Sequence, residues 1–253
     1  MNEKHYRIKR SSEGYLHVCV KHPTQLLFRT KNIIFVHGFL GEGTENHRMF
    51  IRMAEKLNEH GFTCILFDQY GCGYSDGDYK DVLLEDLKTD LEDVTIWVKR
   101  MFGGIIGYLG QSVGSAIVLS METILNPKFQ ICINPAAGFE RWLEQRYNWD
   151  ISKEQEYFYA FPKGIMVSRR FLKELVNWEW IKDISITSNV ATLLVASGGD
   201  EINSLDNAVM IKKMKRNAEF VLVREANHSF IGQRELEQQA TESIVDWVSK
   251  LNM

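Results

Sequence analysis

The residues best placed to do chemistry are Gly110-Gln111-Ser112-Val113-Gly114, a G-x-S-x-G pattern between a predicted strand at 105–109 and a predicted helix. A serine at a very sharp strand-to-helix turn needs small neighbours, because the backbones approach too closely for side chains. The turn lifts the hydroxyl above a sheet, and the N-terminus of the next helix favours developing negative charge. This context points to Ser112 as a nucleophile; the plainer reading is a structural turn serine.

A serine hydroxyl is a poor nucleophile until a base takes its proton. Behind an elbow of this kind the partners follow in the chain order Ser, acid, His. Gly198-Gly199-Asp200-Glu201 comes after a predicted strand at 191–196, and Asn227-His228-Ser229-Phe230 after one at 220–223. Both stretches therefore sit at the carboxyl edge of a parallel sheet, where catalytic groups gather. No other histidine follows Ser112. His228 is expected to serve as general base and then general acid, with Asp200 fixing its tautomer. Glu201 and Asp206 are the other candidate acids, and Asp200 could instead cap a helix beginning near Ser204. His37-Gly38-Phe39-Leu40-Gly41 follows a strand at 33–36. The main-chain amides of Phe39 and Val113 are the expected oxyanion donors. His37 is read as a support of that loop through hydrogen bonds, with a catalytic part as the alternative.

These groups need a frame. Predicted strands at 6–10 and 15–20 flank Ser-Ser-Glu-Gly, which is hairpin chemistry with Gly14 free to take positive φ. From residue 31 strands alternate with helices. The run at 33–36 is continuously apolar, as in a strand buried on both faces of a parallel sheet, and the stretches at 62–67, 105–109 and 129–133 read as further strands of the alternation. Met49, Phe50, Met53, Ala54 and Leu57 fall at helical spacing, as do Leu84, Leu87, Leu91, Val94, Val98 and Met101. Gly103-Gly104 ends that second helix. Ile244, Trp247, Val248 and Leu251 line a last one. The expected fold class is α/β: a doubly wound, mostly parallel sheet with an N-terminal antiparallel hairpin and an inserted helical cap. Residues 1–137 and 189–253 form the core and 138–188 the cap, since so long a stretch between sheet strands is more than a loop. The cap is rich in aromatics, with Trp142, Tyr159, Phe161, Phe171 and Trp178 the candidate substrate contacts. The alternative is that they only pack the cap onto the sheet.

The 253 residues suffice for one large domain. With 45% hydrophobic and 25% charged residues the balance is that of an ordinary globular protein. A net charge of −3 argues against broad nucleic-acid binding. Lys212, Lys213, Lys215 and Arg216 are expected on the solvated face of a helix. No signal peptide is visible and no run of eighteen apolar residues occurs, so no membrane span is expected. The four cysteines, Cys19, Cys64, Cys72 and Cys132, lack CxxC spacing and read as free thiols in a reducing cytoplasm. The seven histidines lack HExxH-type spacing, so neither a metal nor another cofactor is expected.

Taken together, the elbow, His37-Gly38 and the stretch from Asp68 to Gly77, similar to a D-x-x-G-x-G-x-S loop, resemble the α/β-hydrolase family over nearly the whole chain. The Ser-Asp-Gly ending of that stretch looks most like the cinnamoyl/feruloyl esterase and monoacylglycerol-lipase-like branches. This sequence has Gln111 where those branches commonly carry His, and Tyr70 and Cys72 vary the glycine loop. The resemblance implies cofactor-free cleavage of a carboxylic ester. The expectation is an ester or thioester hydrolase acting through an acyl-enzyme on Ser112, with an apolar or aromatic acyl group. Its partner would be a small-molecule ester or acyl thioester. The rivals are a thioesterase or acyltransferase using coenzyme A or an acyl carrier protein, and a non-catalytic ligand receptor of the same fold. Arg141, Arg146, Arg169 and Arg170 could meet an acidic substrate or carrier, or lie exposed on cap helices.

Overall fold

A computed structural model describes residues 2–24, 30–161, 163–184, 188–215 and 217–253. The chain opens with β1 (Asn2–Lys9) and β2 (Tyr15–His22), followed by β3 (Lys31–Val36), α1 (Met49–Glu59) and β4 (Phe62–Phe67). Next come α2 (Leu84–Met101), β5 (Ile105–Gln111), α3 (Val113–Ser120), α4 (Glu122–Leu125) and β6 (Phe129–Ile133). The 138–188 segment holds α5 (Phe139–Tyr147), β7 (Tyr157–Ala160), β8 (Ile165–Ser168) and α6 (Arg169–Val176). β9 (Ala191–Ser197), α7 (Leu205–Met214), β10 (Glu219–Val223) and α8 (Arg234–Ser249) complete it.

Eight strands form one sheet in the order β1-β2-β4-β3-β5-β6-β9-β10. β1 pairs antiparallel with β2, and β2 antiparallel with β4, while every later pairing is parallel. The hairpin closes through Arg10 N–H to Gly14 C=O at 3.1 Å, with Gly14 at φ 88°. The apolar runs exist because both faces of the sheet are covered. In β4, Ile65 and Phe67 join one buried cluster with α2 and α3, while Cys64 and Leu66 join another with α1 and α8. β3 divides the same way, Ile34 and Val36 against Ile33 and Phe35. The periodic residues of α1 and α2 are buried, except that Met101 in the last turn of α2 is half exposed. Helix α2 has then run past the sheet, and Gly103 and Gly104 take φ 60° and 72° to turn the chain into β5.

The 138–188 segment is not wholly helical. Its two helices bracket an antiparallel hairpin of β7 and β8. Tyr157 and Tyr159 alternate with Phe158 and Ala160 in an exposed–buried pattern, a period of two that fits a strand. Leu143, Phe171, Leu172 and Leu175 are buried in the same cluster as Val36 and Tyr79 of the sheet side. Among the described residues no helix is long and apolar enough to cross a membrane. The four cysteines are free and buried. Burial pushes the thiols up, Cys19 to about 11, so they are poor nucleophiles near neutrality.

One charged residue departs from the sequence expectation. Helix α7 ends at Met214, so Lys215 does not extend its solvated face. The side chain turns inward, and its Nζ meets Glu122 Oε2 at 2.6 Å with both groups almost wholly buried. Gln130 donates to the same carboxylate oxygen and to Thr192. Arg216 lies outside the described residues. Removing one partner of a buried pair leaves the other charge uncompensated, whereas replacing both by apolar groups is far milder. Lys215→Met is therefore expected to cost about 3–5 kcal/mol in urea unfolding, and Lys215→Met with Glu122→Met to recover most of that loss. Equal losses in the single and double variants would contradict the pairing.

Candidate active site

Ser112 stands between β5 and α3 with φ 55° and ψ −118°, a backbone conformation rarely adopted by a residue with a side chain. Its neighbours explain the glycines. A Cβ on Gly110 would lie 2.6 Å from the Gly114 carbonyl, and one on Gly114 would lie 2.1 Å from the Val36 oxygen. The turn is held from outside: Ser112 N–H donates to Ile133 C=O at 2.9 Å, and Ser112 C=O accepts from Ser115, Ala116 and Ala136.

His228 follows β10, on the loop beyond Val223, and Asp200 follows β9. Their pairing is direct, Nδ1 to Asp200 Oδ2 at 2.8 Å, with both side chains buried. The other carboxylate oxygen of Asp200 accepts the Ile202 and Asn203 amides at 2.8 and 2.7 Å, which fixes the side chain. Glu201 points elsewhere and accepts the main-chain N–H of His228 at 3.2 Å. Asp206 sits in the first turn of α7, hydrogen-bonded with Ser204. The His228 carbonyl is held by Gln111 Nε2 at 2.9 Å and Asn134 Nδ2 at 2.7 Å. His228 is thus held at its ring, its amide and its carbonyl.

Ser112 and His228 line one cavity of about 90 Å³. Among the described residues the Ser112 hydroxyl makes no hydrogen bond to the imidazole, a looseness common in substrate-free sites. Gly38 and Phe39 line the same cavity. The amides of Phe39 and Val113 have no acceptor among the described residues, whereas Gly38 N–H is taken by Glu45 Oε1. His37 is buried beneath this loop. Its Nε2 accepts the Gln69 amide at 3.1 Å, which leaves Nδ1 to donate to Gly38 C=O at 3.0 Å.

The five aromatic candidates separate. Trp142 lines the cavity, and its buried indole N–H has no acceptor among the described residues. Phe171 is buried behind Phe39, stacked on it at 6.1 Å. Trp178 stacks on Phe139 at 6.3 Å, away from the cavity. Tyr159 and Phe161 are 58% and 82% exposed. Tyr147 lines the cavity and was not singled out from sequence. Arg146 and Lys163 also line it, and neither pairs with a carboxylate among the described residues; Lys163 Nζ donates to Leu40 C=O at 2.7 Å. Arg141 borders a neighbouring surface pocket, Arg169 binds the carbonyls of Ile151 and Ser152, and Arg170 pairs with Glu174. Glu45 and Asn134 escaped sequence reasoning because each acts through loop geometry that no spacing rule encodes, and Tyr147 because the packing that turns the end of α5 onto the cavity is tertiary.

A family model described as the alpha/beta hydrolase fold matches residues 31–121, from β3 through the elbow and α3. A curated relative, a proline iminopeptidase of Saccharolobus solfataricus, is 33% identical over 113 residues, which cover 43% of this chain. That matched stretch spans only 35% of the relative's length. Among solved structures, Est1E from Butyrivibrio proteoclasticus with bound ferulic acid superposes with a TM-score of 0.82 at 21% identity, covering 97% of this chain and all of that one. The esterase domain of a Rhodothermus marinus protein gives a TM-score of 0.74 at 18% identity, covering 98% of each chain. The mouse alpha/beta hydrolase domain-containing protein 10 gives 0.72 at 18%, covering 98% of this chain and 100% of that one. By sheet order, elbow and these matches, the chain has the α/β-hydrolase fold.

Proposed function

We propose that this protein is a serine hydrolase that cleaves a carboxylic ester or thioester through an acyl-enzyme on Ser112. The observation that carries the proposal is the 2.8 Å contact of His228 Nδ1 with Asp200, on a histidine that shares a cavity with Ser112. With Nδ1–H directed at Asp200, Nε2 keeps its lone pair and takes the Ser112 proton as Oγ attacks the acyl carbon. The tetrahedral oxyanion is received by the Phe39 and Val113 amides, at the positive end of α3. His228 then protonates the leaving group, and a water activated by the same imidazole releases the acid. Asp200 stabilises the imidazolium formed in each half-reaction.

The cavity walls suggest the acyl group. Phe39, Trp142 and Tyr147 give it an aromatic side, with Phe39 and Trp142 in edge contact at 5.0 Å. An aromatic or apolar acyl group fits that side, and an oxygen on it would satisfy the Trp142 indole N–H. The 138–188 segment acts here as a cap that brings Trp142 and Tyr147 over the nucleophile and excludes water. A thioester with an anionic carrier, such as coenzyme A or an acyl carrier protein, is the second reading. The cations Arg146 and Lys163 on the cavity wall favour it. Comparing turnover of a p-nitrophenyl ester, an acyl-coenzyme A and an aminoacyl anilide separates ester, thioester and amide cleavage; rapid turnover of any of them disposes of a purely receptor role.

Ser112→Ala is expected to lose hydrolysis by about a million-fold and to escape labelling by a fluorophosphonate probe. Asp200→Asn should lower kcat about ten-thousand-fold by favouring the wrong His228 tautomer, while Glu201→Gln, which alters only a main-chain contact, loses far less. Labelling that survives in Ser112→Ala, or a reversed order of the two carboxylates, contradicts the assignment.

Trp142→Ala should lower kcat/KM for bulky aromatic esters by roughly ten- to several-hundred-fold and spare acetyl esters, which do not reach the lost surface. Phe161→Ala, on the exposed hairpin, should change neither. An unchanged ratio of aromatic to acetyl turnover in a folded Trp142→Ala would show the indole to be packing alone.

A further inference from the structure

Beyond the catalytic edge, the outer hairpin carries an unusual row of side chains. β1 and β2 pair so that His5 faces Cys19, Glu3 faces Lys21 and Arg7 faces His17 across the ladder. Side chains two apart share a face, so Glu3, His5, His17, Cys19 and Lys21 all project from the same side. Ligand atoms of Glu3, His5 and Cys19 lie within 4.8 Å of one another. No linear motif announces this group, because cross-strand register assembles it.

A donor count sharpens the observation. Glu3 Oε1 approaches His5 Nε2 at 3.0 Å, His5 Nδ1 approaches His17 Nε2 at 2.9 Å, and His17 Nδ1 approaches Asp68 Oδ2 at 2.9 Å. Three contacts are made in series between two carboxylates. Two neutral imidazoles supply only two N–H groups. If His17 donates to Asp68 and His5 donates to His17, then His5 Nε2 presents a lone pair to the Glu3 oxygen. That gap needs a cation. The Cys19 thiol beside it supplies a third ligand, and Lys21, paired with the other oxygen of Glu3, leaves Oε1 turned toward the gap.

We propose that Glu3 Oε1, His5 Nε2 and Cys19 Sγ form a site for a divalent transition-metal ion, with zinc as the fitting class. Mixed carboxylate, imidazole and thiolate ligands suit zinc and disfavour magnesium or calcium. Tetrahedral bonding sets the donors about 3.5 Å apart; Glu3 Oε1 and His5 Nε2, now 3.0 Å apart, part slightly as the ion enters, with the Cys19 ligand atom within 4.8 Å of the other two residues' ligand atoms. The Cys19 proton leaves to solvent as the S–metal bond forms, and the fourth position is open to water on the exposed His5 side. His17 is a positioning residue: it accepts the Nδ1–H of His5 and is itself fixed by Asp68, the outer-shell carboxylate–histidine arrangement that orients metal ligands.

The test is zinc titration of the full-length, tag-free chain after chelator treatment, followed by calorimetry and native mass spectrometry, with circular dichroism to verify folding. Wild type should take up one zinc at low-micromolar free metal and unfold at a higher temperature with it. His5→Ala and Cys19→Ser should each lose that binding, and His17→Ala should weaken it by roughly ten- to hundred-fold. His60→Ala, an exposed histidine elsewhere, serves as the control and should bind like wild type. Wild type that takes up no zinc would overturn the proposal. So would His5→Ala and Cys19→Ser chains that bind zinc as wild type does, or binding lost only in His228→Ala.

Discussion

The close approach of three backbones at Ser112 is the constraint on which the rest of the molecule turns. The strand β5 must end, reverse direction and begin α3 within a few residues, and the β3 edge must pass so near that Gly114 has no room for a side chain. A positive φ at a serine costs of order 1–3 kcal/mol and persists only where the surroundings over-determine it. Here the surroundings are the Ile133 carbonyl, the α3 amides and Ala136, all fixed by the buried sheet. The strained turn therefore requires the two-sided core, and that core in turn requires mostly apolar strands, with buried polar members such as Gln130 and Thr192 hydrogen-bonded to each other.

Around that turn, several buried polar groups converge on His228 and the loops that carry it. Asp200 spends one oxygen on His228 and the other on two amides of its own loop. Glu201, next in sequence, faces a different group because consecutive side chains diverge, and it secures the histidine's main chain instead. Gln111 and Asn134 hold the same carbonyl from the sheet side. A histidine held at three points keeps its ring orientation, the fixed geometry that the proposed general base would need.

Much of this was legible in the sequence for identifiable reasons. The parallel strands announced themselves through apolar runs such as Ile33–Val36, which burial on both faces favours, and the elbow through glycines that alone fit its flanks. The chain order of Ser112, Asp200 and His228 follows from three strands ending at one edge. What could not be read lies where tertiary packing decides. Lys215 looks like its lysine neighbours, yet the end of α7 turns it onto Glu122. Phe161 and Phe171 are alike as residue types, but one sits beside a hairpin turn and the other behind Phe39. The period-two signal of β7 spans only four residues, too short to distinguish from a loop before its partner β8 is in place. Gln111 read as a mere variation, and its work became visible only with the His228 carbonyl beside it.

Asp68 connects the outer hairpin with the loop beside Ser112. It stands at the end of β4, where its carboxylate accepts the Gly43 amide at 2.7 Å, the Tyr74 amide at 2.9 Å and the His17 ring. Burial raises its pKa, but these hydrogen bonds outweigh burial and hold it below the ordinary carboxylate range. Gly43 belongs to the loop that runs from Gly38 to Glu45, and Glu45 in turn binds the Gly38 amide beside Ser112. One ionised side chain thus ties the β2 strand, the glycine loop after β4 and the loop carrying the Phe39 amide. Rigid placement of the Phe39 amide, the proposed oxyanion donor, would depend on such support, since an amide displaced by an ångström no longer meets a developing charge. The D-x-x-G-x-G-x-S loop earns its form here: Gly73 leaves the space that Asp68 occupies, a Cβ there falling 2.3 Å from the carboxyl carbon, and Ser75 returns a hydrogen bond to the Asp68 carbonyl.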